Sequence, residues 1–553
     1  MALQKVVFPA SPWSQQYLDV TRFGAKCDLK QVQDAVATSG SAIVTSATAN
    51  FTSADVGKKA WIINFQNYSV VVKNVTIASV QSATQITLSG NATASSPASP
   101  NISTLFWGTD DTAAIQAALT AAHTAAKTTA QEDGAVVFIP ASTIISSTLT
   151  QYHHTTIKGA GKHVILCAAP DIGAAMIQGD SHARQLGLEN ITIQGNRVCQ
   201  GTTPTACHGV VWNTVFSGVD LVNTDESAEA RQSIHNIYVR DTAGDGLQLT
   251  SESTNVFSDI FVYSAVGRGI VCTIDNYFVN CDVTQCQLEC WAILGGNNHF
   301  VNCKGNLAGN LTGSVSASGW GWHINPGNIQ PNFLSSCDAQ DCAMEGYYLD
   351  GASNQVMSGC NADSCNNGTS TTHAAIKINN GNFNSITGFV ALDRFVGGTP
   401  PYGGSHLDQI VEFAGSSGGN YIQAQGYFAD SLHFINNGNG GWAGGNTIII
   451  NNQLGTETPA YAASVAVNPY SGGFVSITLT GAITLANPVT GHAGCQLTYI
   501  LTQDATGGRV TSFGTNFHQN WSPTTTANKK NSITFLNVDG TNWVQIASAV
   551  GMS

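Results

Sequence analysis

Apolar residues recur along the middle of this chain with a period too long for a helix and too regular for loops. Between about residues 186 and 455, apolar pairs such as Ile191/Ile193, Ile237/Val239 and Ile260/Val262 give way to anchors at Phe278, Phe300, Leu334, Met357, Ile386, Ile422 and Ile448. Each lies in a short stretch bounded by Gly, Asn or Asp. A repeat of roughly 20–30 residues made of short strands and turns predicts a solenoid. A unit that small cannot bury its own apolar face and must stack on the next. Aligning the anchors places Cys281, Cys303, Cys337 and Cys360 at one offset, and Cys286, Cys342 and Cys365 at another, with Ala308 in the remaining unit. Small apolar side chains stacked ~4.8 Å apart suit the interior of a parallel β-helix. The competing zinc reading lacks a paired CxxC and a nearby histidine set.

The ends of the chain read differently. Residues 1–18 form a tail. Asp19-Val-Thr-Arg-Phe-Gly-Ala-Lys26 is a strand-like entry, and residues 27–107 alternate and turn as a small β insert. Residues 109–126 predict a helix, with Thr109, Asp110 and Asp111 placed to cap its free N–H groups and Ile115, Leu119 and Ala122 on one face. The segment 19–135 thus holds entry, insert and capping helix, and 136–455 holds the coils. From 456 to 553 strands such as Ser476-Ile-Thr-Leu-Thr480 and Leu497-Thr-Tyr-Ile-Leu501 alternate apolar and polar residues between turns, predicting an antiparallel β-sandwich. The fold class is all-β.

Composition narrows the function. Only 10 % of the 553 residues are charged, against ~25 % in ordinary soluble proteins. The net charge of −13 argues against a nucleic-acid partner, which needs clustered Lys and Arg. No run of about eighteen apolar residues is present, so no membrane insertion is expected. The first twenty residues lack the apolar core of a secretion signal, and fourteen cysteines without one predict thiols made in a reducing cytosol. An uncharged polar surface suits a sugar-like ligand.

One column carries candidate chemistry. The residue two before each inward strand position reads His208, Asp245, Arg268, Glu289, Trp320, Glu345 and Ala374 along successive units. The outward set one residue beyond that inward position reads Val211, Gln248, Val271, Ala292, His323, Tyr348 and Lys377. Stacked rungs put Glu289 and Glu345, or Asp245 and Glu289, two rungs apart, ~9–10 Å at the backbone. Inverting glycoside hydrolysis takes two carboxyl groups ~6.5–9.5 Å apart. The catalytic candidates are therefore Glu289, Glu345, Asp245 and Arg268. Trp320, Trp322, His323, Tyr347, Tyr348 and Lys377 are the substrate-binding candidates, with half of the aromatics expected to point inward. The competing reading is that turn positions of any solenoid collect polar residues that pair along the stack. Trp521 and Trp543 read as core anchors before sugar contacts. Gly159-Ala-Gly-Lys162 lacks the other residues of a phosphate loop, and His153-His154 reads as an exposed turn pair. No metal or other cofactor is expected.

The split motif Asp19-Val-Thr-Arg-Phe-Gly-Ala-Lys … Gly108-Thr-Asp-Asp-Thr-Ala-Ala-Ile-Gln-Ala-Ala-Leu resembles the opening of the pectate-lyase-like superfamily, with Cys27-Asp28 where Gly-Asp-Gly usually follows. Lys158-Gly-Ala-Gly-Lys162 is similar to that family's first rungs. Leu497-Thr-Tyr-Ile-Leu-Thr-Gln-Asp … Asn542-Trp-Val544 resembles the terminal domains of bacteriophage tail proteins. These resemblances imply a right-handed parallel β-helix capped by a helix, in a phage or prophage tailspike. Such a protein is a homotrimer of the virion tail, made in the host cytoplasm, that meets other tail proteins and a bacterial surface polysaccharide. Three activities follow as expectations: hydrolysis by paired carboxylates, a lyase on a uronate glycan with Arg268, His323 or Tyr348 as base, or binding without cleavage.

Overall fold

The computed structural model describes residues 16–553 apart from 65–67, 98–102, 128–133, 181–182, 202–203, 214–231, 251–253, 310, 312–318, 328–329, 367, 369–372, 395–406, 408, 428–434, 438–445, 451–458, 468–472 and 489–495. The centre of the chain is a parallel β-helix. Each coil lays down three short strands, one on each of three walls. Representative strands are Asn276–Val279 on the first wall, Asp282–Thr284 on the second and Trp291–Ile293 on the third. Long strands such as Ser233–Arg240 and Asn255–Tyr263 run through the first two walls and join them into one sheet. The third wall is an eleven-stranded sheet.

The predicted anchors stack on the first wall: Phe278 pairs with Phe300, then Leu334, Met357, Ile386, Ile422 and Ile448. One step of the sequence reading is corrected. Phe278 follows Phe257, not Ile260. Ile260 lies beside Phe261, which pairs with Asp282, and so stands opposite Cys281. A strand spanning two walls presents apolar residues of both, and the spacing alone does not separate them. Ile237 and Ile260 therefore head the cysteine column. Backbone bonds from Lys304 N to Cys281 O (2.8 Å), Asp338 N to Cys303 O (2.9 Å) and Asn361 N to Cys337 O (3.0 Å) fix that column. Its thiols are free and buried, and burial holds Cys303 well above the ordinary thiol range.

A second ladder went unread in the sequence. Asn276, Asn298, Asn332, Gln355, Asn384, Asn420 and Asn446 each stand two residues before an anchor and are buried. Asn276 Nδ2 donates to Asn298 Oδ1 (2.8 Å), Asn298 Nδ2 to Asn332 Oδ1 (2.8 Å) and Asn332 Nδ2 to Gln355 Oε1 (2.9 Å). Backbone N–H groups of the same residues donate to the next rung's side-chain oxygen. Buried turn amides are thereby satisfied without water.

The helix Thr112–Lys127 covers the first coils with Ile115, Ala118, Leu119 and Ala122 fully buried. Of the predicted caps, Asp110 accepts from Thr112 N (3.2 Å). Asp111 instead accepts from Lys26 N and Cys27 N (both 2.8 Å), tying the entry strand to the helix. Between entry and helix lies a seven-stranded antiparallel sheet. It docks on the coils through Trp61, Ile63 and Phe106 packed with Ile144, Cys167, Ala169 and Cys199. At the C-terminus Gln496–Gln503, Lys530–Asn537 and Trp543–Met552 form the expected antiparallel sheet. Parallel pairs extend both its edges, and a three-stranded parallel sheet shares its core. Trp521 and Trp543 lie in that core.

Candidate functional site

The predicted column stacks on the third wall. Gly209 N donates to Asp245 O (3.0 Å), Gly246 N to Arg268 O (2.9 Å), Gly269 N to Glu289 O (2.9 Å), Cys290 N to Trp320 O (3.1 Å) and Gly321 N to Glu345 O (3.3 Å). The glycines follow from crowding at this corner. A Cβ on Gly269 would meet Val283 Cγ1 at 2.0 Å, and one on Gly246 would meet Val262 Cγ1 at 2.6 Å. The outward set is equally in register, from Val211 and Gln248 through His323 and Tyr348 to Lys377 and then Glu412.

Two binding candidates are corrected by direction. Trp322 and Tyr347 occupy the inward position and are fully buried. Trp322 stacks on Trp291 (4.8 Å) and on Tyr347 (5.9 Å). Its Nε1 donates to Asp338 O (2.9 Å), and Tyr347 Oη donates to Cys337 O (2.7 Å). These rings are core and meet no ligand. His323, Tyr348 and Lys377 lie on the outward set, and Trp320 packs on the first two.

The four catalytic candidates divide in the same way. Arg268 Nη2 lies 2.8 Å from Asp245 Oδ2, and Arg268 N and Gln248 Nε2 donate to the same carboxylate (both 2.7 Å). Burial pushes the Asp245 carboxyl up, and the Arg268 bonds outweigh it, holding the group below its usual range. Asp245 and Arg268 neutralise each other. Glu345 is only 1 % exposed. It accepts from Trp320 Nε1 (2.8 Å) and lies 3.0 Å from His373 Nδ1 and 3.6 Å from Lys377 Nζ. Burial raises its carboxyl, but His373 and Lys377 prevail and keep it ionised below the usual range. Its partners favour the charged form of a carboxylate that lies beneath the surface. The two members of the expected Glu289/Glu345 pair thus differ in setting: Glu345 is held by Trp320, His373 and Lys377.

Glu289 remains. Its Oε1 is 3.2 Å from His323 Nδ1, and among the described residues it meets no lysine or arginine. His323 stacks on Tyr348 (5.2 Å, 14°), and Trp320 packs on both rings (4.7 and 4.9 Å). Burial pushes the Tyr348 hydroxyl up. Lys377 is held between Glu345 and Glu412 (3.2 Å). The sequence reading missed His373, Asp350, Asn325, Asn379 and Glu412. Asp350 was within reach, because it lies two residues beyond Tyr348 on the same outward face. Among the described residues no three His, Cys, Asp or Glu side chains are grouped to hold a metal.

Residues 108–308 match the family model described as rhamnogalacturonase A/epimerase, pectate lyase-like, and residues 458–543 match the putative phage tail fibre C-terminal domain. Two separate stretches of the chain are thus similar to two different families, one pectate-lyase-like and one of phage tail fibre C-terminal domains. Among the solved structures similar to the chain are three of different kinds. One is the enzymatically active domain of bacteriophage CBA120 tailspike protein 2 (17 % identity, TM-score 0.49, covering 92 % of this chain and 77 % of that one). Another is the tailspike gp49 of Acinetobacter baumannii bacteriophage Fri1, a capsular polysaccharide depolymerase (12 %, 0.32, 97 % and 91 %). The third is the A-module of the Azotobacter vinelandii mannuronan C-5 epimerase AlgE6 (12 %, 0.39, 63 % and 96 %). No curated protein matches the sequence.

Proposed function

We propose that this protein is a tailspike of the phage virion tail that binds a bacterial surface polysaccharide along its third wall and cleaves it by glycosidic hydrolysis. The tail-fibre match of residues 458–543 supports the location. The observation that carries the chemistry is Glu289: it alone of the three predicted acids is free of a lysine or arginine partner among the described residues, and it sits beside an aromatic surface of Trp320 and Tyr348. Ring faces of that kind pack against the apolar face of a sugar. In this reading Glu289 gives its proton to the glycosidic oxygen as the bond to the anomeric carbon breaks.

Hydrolysis is favoured over elimination by the state of the cations. A lyase must neutralise the uronate carboxylate while a base takes the adjacent proton. Arg268 is bound to Asp245, and Lys377 to Glu345 and Glu412, so neither brings a spare charge. The test is incubation with surface polysaccharides from a panel of bacteria. Shortened chains with new reducing ends and no unsaturated-uronate absorbance support hydrolysis. The unsaturated product supports the lyase, and binding without shortening supports an adhesin.

The partner reading is a homotrimer of this chain. Its support is the outward face of the first wall, where Val256, Tyr277, His299, Phe333, Val356, Ser385 and Tyr421 stack on successive rungs. Val279 and Val301 stand beside them. Over ~29 Å at ~4.8 Å per rung neither row holds a charged residue, and Val256, Tyr277, Val301, Val356 and Tyr421 are exposed. Tyr277, His299 and Phe333 stack face to face (4.7 and 4.6 Å), leaving edges outward. That arrangement offers an apolar contact. In a chain of net charge −13, like copies repel except across an uncharged face.

A further inference from the structure

We infer that Asp350 is the second carboxylate of the hydrolytic pair, set opposite Glu289 across the His323 ring; this rests on the hydrolase reading above. Asp350 ends the strand Tyr347–Asp350 and faces the same way as Tyr348, two residues earlier. One imidazole spans the two acids. His323 Nδ1 is 3.2 Å from Glu289 Oε1, and His323 Nε2 is 3.9 Å from Asp350 Oδ2. With the ring's own nitrogen-to-nitrogen span, those distances keep the two oxygens no further apart than the ~6.5–9.5 Å window allows for a water beside the sugar.

Three observations separate Asp350 from the acids already set aside. Its side chain is 32 % exposed, the largest value among the carboxylates grouped around His323 and Lys377. It meets no lysine or arginine among the described residues; its oxygens accept from two neutral amides, Asn379 Nδ2 (2.9 Å) and Asn325 Nδ2 (3.5 Å). Those bonds aim the carboxylate without neutralising it. Finally, His323 Nε2 is buried with no hydrogen-bond partner, although it faces Asp350 at a distance too long for a direct bond. A bridging hydroxyl or water satisfies both groups, which is the position an attacking water needs.

The step then balances. Water attacks the anomeric carbon from the Asp350 side and gives its proton to Asp350 as the new C–O bond forms. The glycosidic C–O bond breaks on the opposite face, and the departing oxygen takes the proton of Glu289. His323 positions both acids; Asp350 then releases its proton to solvent and Glu289 takes one up, which restores the starting state. The product has inverted anomeric configuration.

The test uses the full chain on a polysaccharide that the wild type cleaves, with the anomer first released followed by NMR. Asp350→Asn is expected to bind with unchanged affinity and to cleave ~10²–10⁴-fold more slowly, the range of a lost general base. Asp350→Ala is expected to recover part of its rate when azide is added, yielding a glycosyl azide, because a small anion takes the place of the activated water. A structural role does not produce that rescue. Asp350→Asn cleaving at the wild-type rate overturns the assignment while leaving the hydrolase reading intact, and so does a product of retained configuration. A wild type that binds polysaccharides and cleaves none overturns both.

Discussion

Glu345 shows how a single carboxylate is recruited for architecture at the edge of a site. Its charge is held by His373 and Lys377, and its oxygen anchors the Trp320 indole. Replacing it by Leu leaves the Trp320 N–H and His373 without their acceptor and Lys377 with Glu412 alone among the described residues, and removing one partner of a buried pair costs about 3–5 kcal/mol. Glu345→Leu is therefore expected to lower the thermal midpoint sharply and to weaken glycan binding through Trp320, both measurable on the purified variant. The pH dependence has a definite sign. The folded-state carboxyl lies below its ordinary value, so its contribution is complete above that ordinary value and is lost as pH falls through the lowered one. Asp55 in the insert is a sharper case. Buried among Lys58, Lys30 and Trp107 Nε1, its carboxyl is lowered to about 2, with the Lys58 bond the largest cause opposing burial. Protection of the strand Lys59–Asn64 against hydrogen exchange, corrected for the intrinsic rate at each pH, should be high near neutral pH and fall as pH approaches 2, and Asp55→Asn should flatten that dependence.

At the scale of the strand and turn, the coils are held by columns, and the columns were legible to different degrees. Cysteine is uncommon enough that Cys281, Cys303, Cys337 and Cys360 at one offset stood out. The asparagines two residues before each anchor have the same regularity, but Asn is also the ordinary turn residue, so its repetition was absorbed into the turns. Direction was the other gap. Alternation placed Trp322 and Tyr347 one residue from outward positions, and aromatic identity drew them into the binding set although their parity marks them as core. Asp350 was missed because the outward row was followed at one position per rung and not at the next, two residues on. The ladder makes a prediction at its own scale. Asn298 accepts from Asn276 N and Nδ2 and donates to Asn332 Oδ1, so Asn298→Leu orphans several buried groups and should cost about 2–4 kcal/mol. Cys303→Ala removes only one buried sulfur and should cost about 1 kcal/mol. Unfolding of both variants, measured side by side, checks the ranking.

For the whole molecule, the three walls differ in charge and so in what they can meet. The third wall carries the acids, aromatics and amides proposed to handle a glycan. The first carries an uncharged stripe proposed to face other copies. Val301→Lys with Val356→Lys puts like charges on that stripe. Light scattering should then report the mass of a single chain where the wild type gives three, and a wild type of single-chain mass would remove the homotrimer. On the third wall Glu289 is proposed as the acid that cuts the polysaccharide. That role is tested most directly by sizing a susceptible surface polysaccharide after incubation with the wild type and with Glu289→Gln. Shortened chains with reducing ends are expected from the wild type, and at least ~10²-fold slower shortening from the variant, with binding retained. Equal rates from the two proteins would contradict it.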